Sequence, residues 1–259
     1  MVRVSRRAGF TGSALVRCLA SLGDLDVPES KQVFADRLSQ WLAWTDAIAL
    51  SAALDGNPAQ APADPRIAKT SDSAEATECA RVRAALLNAI TRDNAVGAGK
   101  ARAMSHATDR SVPADTPADN GRDFTPHRRR YVTRQQAMEA SIVPLRARLR
   151  TALARRSPAM ARLAAMDAVM EQLLAPREHH LLATVPTLLK KQFDRLARAD
   201  EAAKSAGADM NDGTDAPNVP NDPTEWLNAF TQDMQSVLIA ELDIRMQPVE
   251  GLLAALRST

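Results

Sequence analysis

The sequence predicts an all-α protein, a multi-helix bundle of roughly six to eight helices with long disordered linkers. Three observations carry this reading. The 259 residues include one Tyr and five Phe, with Ile also scarce, while Ala, Leu, Arg and Asp dominate. Strand-forming residues are therefore few and helix formers abundant. Apolar residues recur at three- and four-residue intervals in segment after segment. Residues 55–72, 93–123 and 205–221 are rich in Pro, Gly, Asp or Asn and hold too little apolar surface to offset the entropy of ordering, so they read as linkers, 93–123 as a disordered one. Between them lie N-terminal helices (1–54), a helix (73–92), a basic helical hairpin with a following helix (124–204), and C-terminal acidic helices packing on the bundle (222–259).

Taken in order, the basic tail Met1 to Thr11 leads into a short helix opened by Gly12-Ser13, with Leu15, Cys18, Leu19 and Leu22 on one face and Gly23 as its cap. Asp26 and Pro28 start a second helix running to about Leu54. Its stripe of Phe34, Leu38, Trp41, Leu42, Thr45 and Ile48, with two of the three tryptophans, marks it as a core anchor. Trp41 and Trp44, three apart, do not share the centre of that stripe. Asp72 and Glu75 have the spacing of a cap and its third-position acid, and a helix follows to about Arg92 with Cys79, Val82, Leu86 and Ile90 inward.

The stretch His127 to Arg156 organises the chain. It carries nine arginines against the single acid Glu139, a balance of about +8. Tyr131, Met138, Leu145 and Ala152 recur every seven residues with Gln135, Ile142 and Leu149 between them, which gives an apolar seam flanked by arginines. Pro144 predicts a kink or break near Ile142–Val143. Ser157-Pro158 turns the chain into an antiparallel helix ending near Ala175. Breaks follow near Pro176, Pro186 or both, then a helix from about Thr184 to Lys204. Asp222-Pro223-Thr224-Glu225 starts the last long helix, read to about Met246, with Pro248 opening a terminal helix. Asp222, Glu225, Asp233, Glu241 and Asp243 make this segment acidic, so it is expected to lie near the basic helix and neutralise it.

No catalytic, cofactor or metal signature emerges, and an enzyme is not expected. Asn94 and Ala101 break the phosphate-loop pattern around Gly99-Lys100. His179 and His180 beside Glu178 point about 100° apart on a helix and make no two-ligand site. Asp167 and Glu171, one turn apart, read as a solvated face beside Arg162. Cys18 and Cys79 are too few for a disulfide framework and suit a reducing compartment. Arg6-Arg7 lacks the apolar run of an export signal, and no stretch approaches a membrane span, so the expectation is a cytoplasmic protein.

FADRLSQWLAWTDAIALSAAL (Phe34 to Leu54), YVTRQQAMEASIVPLRARLR (Tyr131 to Arg150), LLATVPTLLKKQFDRL (Leu181 to Leu196) and AELDIRMQPVEGLLAALR (Ala240 to Arg257) resemble an uncharacterised, all-helical proteobacterial family, a domain of unknown function. The resemblance covers the helical blocks and skips the linkers. It implies an accessory to an envelope-linked assembly and carries over no catalytic residue. The residues themselves point to a non-catalytic helical interaction protein, acting through a protein partner or self-association. The expected contacts are Arg128, Arg129, Arg130, Arg134, Arg146, Arg148 and Arg150, which would hold an acidic helix. The alternative is nucleic-acid binding through the arginine-rich helix 127–156, where arginine forks suit phosphates but Tyr131 is the only aromatic.

Overall fold

Seam-bearing helices bury their apolar sides against one another, and in this chain two long helices do most of that work. The computed structural model describes residues 13–23, 34–56, 73–92, 122–209 and 225–258. Among them every regular element is helical: α1 (Ala14–Gly23), α2 (Phe34–Trp41), α3 (Trp44–Asp55), α4 (73–92), α5 (Thr125–Ala154), α6 (Pro158–Leu182), α7 (Val185–Asp209) and α8 (Glu225–Arg257). The all-α expectation holds. The linker readings, the start at Asp26–Pro28 and the caps at Asp72 and Asp222 fall within residues 24–33, 57–72, 93–121 and 210–224, outside the described residues.

α5 and α8 form the central pair. The seam read from the sequence faces inward: Tyr131, Met138, Ile142, Leu145, Leu149 and Leu153 are buried, with Ala152 packed beside them. α8 answers with buried residues from Phe230 to Leu256. Tyr131 and Gln135 meet Glu241, while Ile142 and Pro248 line the same cleft further along, so the two helices run parallel. α6 returns antiparallel to α5, with Arg146 against Asp167 at one end and Gln135 against the Leu182 carbonyl at the other. The turn between them is set as expected, Ser157 Oγ accepting from the Met160 N–H at 3.2 Å. α4 is held by Arg148–Glu75, Arg83–Asp243 and Arg83–Glu250, and α1 packs on α7 and α8. The inward faces read for α1 and α4 are the ones observed, with Leu15, Leu22, Cys79, Leu86 and Ile90 in the core.

Several boundaries differ from the sequence reading, each for a physical reason. α8 does not end at Met246 but continues through Pro248 to Arg257. One internal proline costs about 3 kcal/mol, whereas burying each of Val249, Leu252, Leu253 and Leu256 returns roughly 1.5–3 kcal/mol, so continuation wins. α5 likewise runs unbroken through Pro144, and α6 through Pro176. The break near Pro186 is the one observed, at Ala183–Thr184, with Pro186 in the first turn of α7. α7 extends to Asp209, past the linker boundary at 205.

The tryptophan helix is the largest correction. It breaks at Leu42–Ala43, where the Asp46 carboxylate accepts from the Ala43 N–H at 2.9 Å and starts a new helix. The stripe is thereby cut in two, and α3 buries no residue. Trp44 is 81% exposed, so α3 is no core anchor.

Pro144 is exposed on the solvent side of α5. Pro144→Ala is therefore expected to restore a backbone bond and stabilise the protein by about 1–3 kcal/mol. Urea unfolding checks this; a lower midpoint would show that the proline shapes the packed seam.

Candidate functional site

The arginines of α5 sort by helix geometry. At 100° per residue Arg128, Arg146 and Arg150 share one azimuth, while Arg130 and Arg148 share another. Their neighbours differ along the axis, because Arg146 lies about 27 Å from Arg128. Arg146 faces α6 and makes a bidentate pair with Asp167, at 2.8 Å from Nε and 2.6 Å from Nη2. Arg150 holds Glu171 at 2.6 Å and Asp167 at 3.3 Å. All four side chains in this box are between 14% and 20% exposed. Asp167 and Glu171 are thus not the solvated face expected from the sequence, and Arg162 is not their partner; it donates to the Gly56 carbonyl. Arg148 reaches Glu75 of α4 at 2.9 Å.

The other end of α5 is different. Arg128 lines a cleft of about 250 Å³ with Gln136, His179 and Pro186, where the last turn of α6 gives way to α7. Arg129, Arg130 and Arg134 border a shallow concavity with Thr125 and Thr133. Among the described residues Arg128, Arg129 and Arg130 form no ion pair, and the first turn of α5 contains no acid. The acids of α8 do not neutralise this helix as expected. Asp243 pairs with Arg83, Asp233 accepts from Gln192 at 2.9 Å, and only Glu241 points into α5.

Glu241, read from the sequence only as one of five acids of the last helix, stands apart from the others. It is fully buried. Its carboxylate accepts from Tyr131 Oη at 2.6 Å, Gln135 Nε2 at 3.1 Å and Arg245 Nε at 3.0 Å. Arg245 also reaches Glu178 of α6 at 3.3 Å. Burial, then the charge of Glu241, pushes the Tyr131 hydroxyl pKa well up, so the phenol stays protonated as the donor. A single acid inside an apolar stripe, opposite Tyr and Gln in the facing seam, was the available signal.

Below the polar node an aromatic joint ties α5, α7 and α8 together. Phe193 stacks edge-on against Phe230 at 5.1 Å and Trp226 at 5.1 Å, and Phe124 lies 5.6 Å from Phe193. His127 sits over Phe193 at 5.5 Å and Phe230 at 5.2 Å, with its Nδ1 buried and unpaired. Burial, then Arg130, lowers its pKa, so the neutral ring is the folded form. His179 and His180 are exposed at the end of α6, and among the described residues no group of three His, Cys, Asp or Glu is placed to hold a metal ion. The arrangement offers cation-mediated contact at the start of α5, with the hydrogen-bonded Glu241 node behind it.

The sequence model of one family, described as "Protein of unknown function (DUF3348)", matches residues 1–258. No curated protein and no solved structure matches the chain.

Removing a donor from Glu241 should be costly, because the carboxylate remains buried. Tyr131→Phe is expected to cost about 1–3 kcal/mol. Arg245→Met, which strips the one cation within bonding distance of Glu241 among the described residues, should cost roughly 3–5 kcal/mol. Chemical denaturation of both variants and of Glu241→Gln measures these losses, and equal small effects would count against a coupled node. Stability should also fall with acidification. His127 has a depressed folded pKa, so the unfolded chain takes up the proton first, and stability is lost as pH drops below about 6.5 towards the folded value. In His127→Phe that portion of the pH dependence should vanish in thermal melts.

Proposed function

The chain belongs to the DUF3348 family, and we propose that it is a non-catalytic helical interaction protein whose α5 start grips an acidic segment of a protein partner. One observation carries the reading: the arginines of a single helix are divided into an internally paired set and an outward set. Arg146, Arg148 and Arg150 are committed to Asp167, Glu171 and Glu75. Arg128, Arg129 and Arg130 crowd the positive end of the helix dipole, a placement that is unfavourable in isolation and that carboxylates relieve. Arg129 and Arg130 border a shallow concavity with the hydroxyl-bearing Thr125 and Thr133.

Nucleic-acid binding by helix 127–156 is the second reading. Three of its arginines are already engaged by acids of this chain, which leaves it fewer cations for phosphates. The proposed setting is an envelope-linked assembly, as the family resemblance implies, with the chain on its cytoplasmic side, as its two cysteines suggest. Among the described residues no helix is long and apolar enough to cross a membrane.

Charge reversal at Arg128, Arg129 and Arg130 to Glu is expected to abolish partner capture by the full chain, with helical content and melting temperature little changed. The same reversal at Arg146, Arg148 and Arg150 should instead unfold the bundle. Capture from native cytoplasm with and without nuclease, followed by mass spectrometry, is the decisive measurement. A partner retained by the first variant overturns the assignment, and loss of every partner on nuclease treatment supports nucleic acid instead.

A further inference from the structure

The fold holds His127 without satisfying it. Its ring sits between Phe193 of α7, at 5.5 Å, and Phe230 of α8, at 5.2 Å, and its Nδ1 is buried with no partner among the described residues. A neutral ring with its proton on Nε2 leaves only a bare lone pair there. An imidazolium leaves an orphaned charged donor, which is the costlier of the two. The surrounding charges act in the same direction. His127 lies in the first turn of α5, where the helix dipole disfavours a cation, and Arg130 is its neighbour one turn on. Arg134 continues the same column seven residues along. The counterweight is Asp123, which is exposed and already accepts from the Thr125 N–H at 2.8 Å.

From α7 and α8 the groups facing the ring are the uncharged Phe193 and Phe230. The acids flanking them in sequence, Asp194 and Asp233, are engaged by Lys190 and Gln192, and Glu201 further along α7 by Arg122. Burial, then Arg130, accordingly holds the imidazole below its ordinary pKa. An acidic segment laid over Arg130 changes this balance. It cancels the repulsion of the arginine, and once the ring turns out beside that residue it supplies the acceptor that the fold withholds.

We propose that His127 belongs to the partner grip, and that the acidic segment binds with uptake of a proton by its imidazole. The inference rests on the partner site proposed for Arg128, Arg129 and Arg130, and it names how that site is regulated. The free chain keeps the ring neutral until the pH falls below its depressed value, and bound carboxylates raise that value. Between the two the complex holds a proton that the free chain lacks. The grip therefore tightens as pH drops from about 6.5 downwards, by no more than about tenfold per pH unit. Carboxylates of the partner keep their charge until about pH 4, so they do not mask the effect.

Isothermal titration calorimetry of the full chain with an oligo-aspartate peptide tests this, in two buffers of different ionisation enthalpy, at about pH 6 and about pH 7.5. At the lower pH the wild type should take up a fraction of a proton per peptide bound and bind several-fold more tightly. His127→Gln should match the wild type at the higher pH and lose both the uptake and the tightening. His127→Phe, which keeps a ring in the aromatic joint, gives the same test if His127→Gln folds poorly. His179→Gln, at the exposed histidine that lines the cleft with Arg128, should retain both effects. A wild type that binds with no uptake and no pH dependence overturns the inference. So does uptake that survives both His127 substitutions or vanishes with His179→Gln. Oligo-aspartate that fails to bind, or that binds the charge reversal at Arg128, Arg129 and Arg130 as tightly as the wild type, overturns the partner site and the inference with it, so the two failures are told apart.

Discussion

A carboxylate without access to water holds the register of this bundle. Glu241 lies fully buried in the seam between α5 and α8, and taking such a charge out of water costs several kcal/mol unless its oxygens are met by donors and a counter-charge. The donors come from three residues on two helices, and two of those reach further, Arg245 to Glu178 and Gln135 to the Leu182 carbonyl. Apolar seams tolerate a slip of one turn, because Leu meets Leu again about 5.4 Å along. Tyr131 and Gln135 do not meet a second carboxylate by such a slip: one turn either side of Glu241 the α8 positions are Val237, Leu238 and Arg245. The node therefore selects one alignment of α5, α6 and α8 from several that hydrophobic burial alone would accept.

Charge is arranged on the same principle, by where neighbouring helices begin and end. α6 runs antiparallel to α5 and presents Asp167 and Glu171 near its own start, so only the C-terminal half of α5 finds acids there. By the level of Arg128 that helix has reached its histidine-bearing last turn and the chain is turning into α7. The asymmetry of the basic helix is thus a consequence of topology acting on an almost uniform run of arginines. Composition alone reads the run as one surface, but the fold makes it two.

What was legible in the sequence was local. The α5 seam, the Ser157-Pro158 turn and the inward faces of α1 and α4 follow from periodicity and capping, whose causes lie within a few residues. The prolines misled because a proline's cost is local while the burial that outweighs it is tertiary, as for the four buried residues after Pro248. Trp41 and Trp44 misled for a related reason: aromatic content argued for the core, but Asp46 capped a fresh helix between them and turned the second ring outward. At the candidate site, the arginines were legible as a set and their division was not. Neither Asp167 nor Glu75 is linked to α5 by any sequence spacing, since those pairs are fixed by helix crossing.

The internally paired arginines and the outward ones also differ in what evolution could replace them with at equal stability. A half-buried box such as Arg146–Asp167 and Arg150–Glu171 is close to energetically exchangeable with well-packed apolar side chains, so its stabilising role alone does not demand charge. It does demand that all four change together, because one lone survivor is an unpaired charge. Arg128, Arg129 and Arg130 are under no such coupling, and each could become neutral with a small gain from relieving the helix dipole. Three consecutive arginines at that end are therefore better explained by something outside the described fold that needs them than by the fold itself. The physical case for a partner rests on this asymmetry of replaceability, and the total positive charge of the helix adds little to it.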